Sequence, residues 1–180
     1  MKITETKIPD LKIIEPSVFT DDRGYFLESY SARELDKLGV HDVFVQDNES
    51  KSQRGVLRGL HFQNPPFAQA KLVRVVRGAV LDVAVDIRKN SPTYGQHVCV
   101  ELSEQNKRML YIPKGFAHGF LTLENDTIFS YKCSQFYNKE AEGSLLWNDE
   151  TLAINWGTDN PILSDKDKIA PKFLDFQSHF

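Results

Sequence analysis

Arg58, Gly59, Leu60 and His61, followed ten residues later by Lys71, supply three groups suited to moving protons on an anionic substrate. A histidine exchanges a proton near neutrality, a lysine ammonium offsets growing negative charge, and an arginine grips a phosphate through paired hydrogen bonds. Strand phase relates these groups to others. Lys71 shares a face with Val73 and Val75, and Tyr131 shares one with Phe129 and Cys133. Under strict alternation Arg58 and His61 face opposite ways, so Gly59 must allow a bend or bulge if both are to enter one cavity. Plainer readings compete. Lys71 could lay its stem along a sheet edge, Tyr131 could be a structural aromatic, and His61 could be a hydrogen-bonded structural histidine. His118, within Pro113 to Phe120, reads either as packing or as a hydrogen-bonding group for a ligand.

The elements that must position these groups are mostly short strands. Leu11–Ile14, Tyr25–Tyr30, Val43–Gln46, Val56–Arg58, Leu72–Val76, Val80–Ile87, Gly95–Leu102, Met109–Ile112, Phe120–Leu123 and Thr127–Cys133 read as strands between Gly, Pro, Asn or charged turns. Ser31 with Glu34 forms a capping box for a helix over Ala32–Leu38, which Gly39 ends. Ser164 to Asp167 can cap a short terminal helix. The long helices that parallel strands need are missing, so the pattern argues for an antiparallel sandwich or barrel.

The chain has 180 residues, a formal net charge of -3 and 41% hydrophobic content, which predicts one domain over residues 1–180 with a substantial core. No basic tail or Lys/Arg-dense helix is present to bind nucleic acid. No segment has the length of a membrane span, and Met1 to Glu5 lacks an apolar signal run, so a cytoplasmic location is expected. Cys99 and Cys133 are too few for a disulfide framework or a Cys-rich metal site. His61 lacks an H-x-H partner, and a His61/His118/Glu124 metal set is announced by no spacing. No Gly-rich phosphate loop occurs, which leaves Arg23, Arg58 and Lys71 as the natural phosphate contacts, with Arg54 and Arg74 as competitors.

Longer motifs add a resemblance. Phe19 to Phe26, Gln46-Asp47-Asn48, Gly55 to Gln63, Gln69 to Val75, Val83 to Arg88, Ile112 to Phe120 and Leu163 to Asp167 together resemble the dTDP-4-dehydrorhamnose 3,5-epimerase family over nearly the full length. The resemblance implies an all-β, cupin-like antiparallel jelly-roll or β-sandwich barrel with a few short peripheral helices. It implies a metal-independent enzyme of dTDP-L-rhamnose synthesis that needs no cofactor. Its reaction would invert C3 and C5 of dTDP-4-dehydro-6-deoxy-α-D-glucose to give dTDP-4-dehydro-β-L-rhamnose. Both carbons flank the C4 ketone, so loss of either proton gives an enolate with its charge on the C4 oxygen.

By the same resemblance His61 is the base and Asp167 orients its imidazole, although Asp167 also lies where a helix cap would. Lys71 matches the cation beside the C4 oxygen, and Tyr131 matches the acid on the opposite face of the sugar. Arg23 and Arg58 resemble diphosphate contacts, with Glu28, Gln46 and Asn48 around nucleotide and sugar. His118 falls on the sugar side, and Glu142 and Lys166 complete the rim. Phe19, Phe26 and Tyr137 are candidates for thymine stacking or pocket walls. A homodimer is implied, with N-terminal strands exchanged so that Arg23 and Glu28 reach the partner's site. Gly78-Ala79-Val80 departs from the family where an acidic residue often follows the glycine. Epimerisation at C3 or C5 alone, or 3,4-ketoisomerisation of a related nucleotide sugar, are the nearest alternative chemistries, and a sugar-binding protein without turnover is the alternative outside enzymes.

Overall fold

Short runs of β-branched and aromatic residues between turns build thirteen strands, and a computed structural model describes all of residues 1–180. In chain order the strands are β1 (Lys2–Glu5), β2 (Lys12–Glu15), β3 (Val18–Asp21), β4 (Gly24–Leu27), β5 (Gln46–Ser52), β6 (Leu57–Gln63) and β7 (Lys71–Arg77). They continue as β8 (Ala79–Asp86), β9 (His97–Ser103), β10 (Met109–Ile112), β11 (Phe116–Thr122), β12 (Thr127–Cys133) and β13 (Glu142–Ser144). The two α-helices are α1 (Ala32–Lys37) and α2 (Asp165–Lys168). No helix is long and apolar enough to cross a membrane.

All ladders between these strands are antiparallel. One sheet has the order β1-β2-β10-β7-β12-β5, a second has β13-β6-β11-β8-β9, and β3-β4 stands apart as a hairpin. The expected cupin-like jelly-roll barrel is therefore corrected. A barrel requires its end strands to pair, whereas here β1 and β5 bound one open sheet and β13 and β9 the other. Strand number and alternation are the same in an open sheet and a closed one, so the sequence pattern does not distinguish them.

Three apolar clusters hold the sheets. Between them lie Val73 and Val75 of β7, Val80 and Ala84 of β8, Phe120 of β11 and Phe129 of β12. The outer face of the second sheet carries Leu57, Val83, Val85 and Leu121, covered by Leu145, Trp147, Trp156 and Phe173 from the C-terminal segment. The outer face of the first carries Leu72, Met109 and Tyr111 under Leu35 and Val40. β8 is thus apolar on both faces, which gives its nearly continuous run of hydrophobic residues. Each fully buried Leu or Val side chain contributes about 1.5–3 kcal/mol, so the layers fix the strands far more firmly than any surface ion pair.

Other departures are local. The strand expected at Val43–Gln46 begins only at Gln46 and runs through polar residues to Ser52, while β6 extends to Gln63 and β11 begins at Phe116. The Ser31 cap is present, its hydroxyl accepting from Glu34 N at 3.4 Å, and Gly39 takes φ +76 just beyond α1.

Candidate active site

The bend in β6 puts Arg58 and His61 in one cavity. His61 pairs with His118 and Arg58 with Phe120, so Gly59 and Leu60 stand opposite Gly119 alone. This two-against-one bulge is the feature the spacing requires. Gly59 adopts φ +120, and a Cβ there would lie 2.6 Å from Gly119 Cα, so both conformation and space demand glycine. The cavity, about 420 Å³, is lined by Arg58, His61, Lys71, His118, Tyr131 and Asp167 among others. A smaller one of about 210 Å³ holds Gln46, Asn48, Tyr137 and Glu142 and shares His61, Lys71 and Tyr131 with the first. His61 and His118 belong to the second sheet, Lys71 and Tyr131 to the first. The imidazole and the phenol therefore come from facing sheets.

His61 Nε2 lies 2.6 Å from Asp167 Oδ1, and the Asp167 side chain is almost fully buried. Asp167 also has its capping role, through a different atom: its backbone N–H donates to Ser164 Oγ at 3.2 Å. The C-terminal segment is held in place by Leu57 N–H donating to Ile162 O and Ile162 N–H to Gly55 O, 3.0 and 2.8 Å. Burial works to raise the Asp167 carboxyl, but hydrogen bonds and charge from His61, with Ser164 and the Gly59 backbone, hold it below the usual carboxylate range.

Lys71 stands free of ion pairing, since Asp167 is engaged with His61, Asp82 with His118 and Glu142 with Lys166. Burial pushes its ammonium below the ordinary lysine range, against the pull of Cys133, Asp82 and Glu142. Burial raises the Tyr131 phenol, with Asn48 and Arg58 opposing. At the rim, burial would raise Glu142, but Lys166 outweighs it and the carboxyl sits low, with the Tyr137 hydroxyl donating to Oε2 at 3.3 Å.

Asp82 was not among the candidate residues. It is fully buried on β8, and both carboxylate oxygens meet His118 Nε2, at 3.0 and 2.9 Å. A signal was available: an acidic residue in a strand apolar on both faces must find a partner. Burial lowers the His118 imidazole despite Asp82, with Lys71 and His61 adding to the effect. No group of three or more His, Cys, Asp or Glu side chains is placed to hold a metal ion.

The structure brings Arg58, Gln46, Asn48, His118, Glu142 and Tyr137 to the two cavities, with Lys166 paired to Glu142 at the edge. It does not bring Arg23, Glu28, Phe19 or Phe26. Arg23 pairs with Asp21 at the tip of the β3-β4 hairpin, Phe19 and Phe26 are 65% and 69% exposed, and Glu28 follows β4 in solvent.

An imidazole backed by a carboxylate, a phenol from the opposite sheet and an unpaired cation lining the same cavity define a proton-transferring isomerase. The chain belongs to the dTDP-4-dehydrorhamnose 3,5-epimerase family, whose model matches residues 5–175. It is 53% identical over 176 residues to the dTDP-4-dehydrorhamnose 3,5-epimerase of Shigella flexneri, covering 97% of each chain. The crystal structure of the Bacillus anthracis dTDP-4-dehydrorhamnose 3,5-epimerase with TDP and PPi bound superposes with a TM-score of 0.94, at 51% identity over 96% of this chain and 99% of that one. The Legionella pneumophila 3,5-epimerase in complex with dTDP-4-keto-L-rhamnose also gives 0.94, at 50% identity over 98% of this chain and 94% of that one.

Proposed function

We propose that this chain converts dTDP-4-dehydro-6-deoxy-α-D-glucose to dTDP-4-dehydro-β-L-rhamnose by inverting C3 and C5, with residues 1–180 acting as one epimerase domain. The observation that carries the reading is the placement of His61 and Tyr131 on facing sheets around one cavity, which Lys71 also lines. Inversion needs a proton removed from one face and returned to the other. His61, oriented by Asp167, takes the proton from C5 or C3. The electron pair moves onto the C4 oxygen, and the Lys71 ammonium offsets that charge. Tyr131 then donates its proton to the carbon from the opposite face, and the C4 ketone re-forms.

Arg58 binds the diphosphate, Gln46, Asn48 and His118 hold the sugar and nucleotide, and Glu142 with Lys166 closes the rim beside Tyr137. Arg23, Glu28, Phe19 and Phe26 act in a homodimer, where the exchanged N-terminal hairpin carries them to the partner's site. The hairpin's Val18, Phe19, Tyr25 and Phe26 all stand exposed in the single chain, Phe19 and Phe26 side by side on one face, and large apolar side chains left in solvent call for a cover, which supports this arrangement. The free thiols Cys99 and Cys133 fit work in the reducing cytoplasm.

The test is proton NMR of the protein with this substrate in D2O and EDTA, beside a His61→Ala sample. Deuterium at both C3 and C5 with formation of the L-sugar, lost in His61→Ala, is expected. Exchange at one carbon would mean a mono-epimerase. No exchange would point to another nucleotide sugar or to binding without turnover.

A further inference from the structure

Gln46, Asn48, Ser50 and Ser52 alternate along β5 and so share one face of the strand, opposite Cys133, Tyr131, Phe129 and Thr127 of β12. Three of these four side chains have partners. Gln46 Nε2 donates to Asn48 Oδ1 at 3.0 Å, Asn48 Nδ2 meets Cys133 Sγ at 3.7 Å, and Ser52 Oγ accepts from Arg58 Nε at 3.2 Å. Ser50 is the exception. Its Oγ is covered from bulk solvent and has no hydrogen-bond partner. The two other buried side-chain atoms without partners, on Asn64 and Thr122, line neither catalytic cavity, whereas Ser50 lines the larger one.

Buried polar groups are ordinarily paired, so an unpaired hydroxyl in a cavity wall beside the reacting groups marks a place that a ligand completes. Its position along β5 indicates which part of the ligand. Successive inward residues on a strand are about 7 Å apart. Asn48 lies across from Tyr131, at the sugar end, and Ser52 orients Arg58, at the diphosphate end. Ser50 falls midway between them. A sugar ring held between His61 and Tyr131, with its diphosphate on Arg58, passes its anomeric oxygen through that midpoint.

We propose that Ser50 is a substrate-binding residue whose hydroxyl donates to a non-bridging oxygen of the β-phosphate, beside the sugar. The inference rests on the reaction and the Arg58 role given above. The contact fixes the ring's distance from the diphosphate anchor, and so which carbons His61 can reach.

The test is Ser50→Ala, read by calorimetric titration with dTDP, by steady-state kinetics on the dTDP-4-keto sugar and by thermal unfolding without ligand. Loss of a hydrogen bond to a charged group should weaken dTDP binding about 10-fold or more and raise KM similarly. The unliganded melting temperature should hold or rise, because an unsatisfied hydroxyl has been removed. Binding of dTDP within twofold of wild type overturns the proposal, as does a lowered melting temperature with unchanged KM, which would make Ser50 structural. Failure of the wild-type protein to turn over the sugar would sink the reaction reading alone, since the dTDP titration still decides whether Ser50 meets the phosphate.

Discussion

His61 and Asp167 are 106 residues apart in the chain and 2.6 Å apart in the fold. The bond joins a bulged strand to a one-turn helix, and the helix uses only the backbone of Asp167 for its cap. Asp167→Asn should therefore leave α2 intact while removing the charge that orients and stabilises the imidazole. We expect normal thermal unfolding with loss of a large part of the ~10²–10⁴-fold that a placed base supplies. Deuterium uptake at C3 and C5 measures this, and a variant with wild-type exchange rates would deny Asp167 any part in catalysis.

Tyr131→Phe separates the two halves of an inversion. His61 alone suffices to remove a proton and return deuterium to the same face, whereas inversion needs the donor on the opposite sheet. The variant should retain C5 exchange better than it retains formation of the L-sugar. Equal loss of both would count against Tyr131 as the final donor.

The Lys71 ammonium is useful only while charged. Because burial lowers its pKa, the charge is lost at a lower pH than in a free lysine, so kcat/KM should fall along an alkaline limb centred below 10.5. Tyr131 is shifted the other way, upward by burial. The dianionic substrate favours the ammonium, so the limb in kcat should lie at higher pH than that in kcat/KM. A pH series on wild type and on the exchange reaction of Tyr131→Phe checks the assignment: a limb that vanished in Tyr131→Phe would belong to the phenol.

The Asp82–His118 pair tests how a buried imidazole is kept in one orientation. A neutral His118 that donates Nε2–H to Asp82 presents Nδ1 as an acceptor. Asp82→Asn can donate as well as accept, so it no longer enforces that tautomer. We expect KM to rise more than kcat falls. Asp82→Ala removes a buried hydrogen bond to a charged acceptor and should also cost about 1.5–3 kcal/mol in urea unfolding. A KM unchanged in both variants would leave the pair a purely structural one.

How much of this was legible follows from what each residue was selected for. β10 and β12 coincide with their expected spans because their flanking turns are sharply marked. The Gly59 bulge followed from one mismatch of phase. β5 was missed because Gln46–Ser52 contains no apolar residue: its inward side faces the ligand cavity, so the hydrophobic signal that marks a strand is absent where the strand is functional. Barrel closure was misjudged because pairing between distant edges leaves no local trace. Asp82 was readable in principle, as the one charge inside an otherwise apolar stretch of β8. Glu28 was named only by resemblance and Arg23 otherwise only as a candidate phosphate contact, and no pattern within the chain links an exposed hairpin to a cavity it does not line.

That hairpin yields the sharpest test of the dimer. In a single chain Arg23 lines neither cavity, yet the exchanged arrangement makes it part of the partner's site. Arg23→Ala and His61→Ala should each be nearly inactive as homodimers. Co-refolded in equal amounts, they form mixed dimers in which one site combines an intact His61 with the other subunit's intact Arg23, while the second site carries both defects. Random pairing makes half the dimers mixed, so about one quarter of wild-type activity should return, the statistical result for a two-fold interface in which each site draws on both subunits. If Arg23 acted within its own chain, every site would keep a defect and mixing would restore nothing.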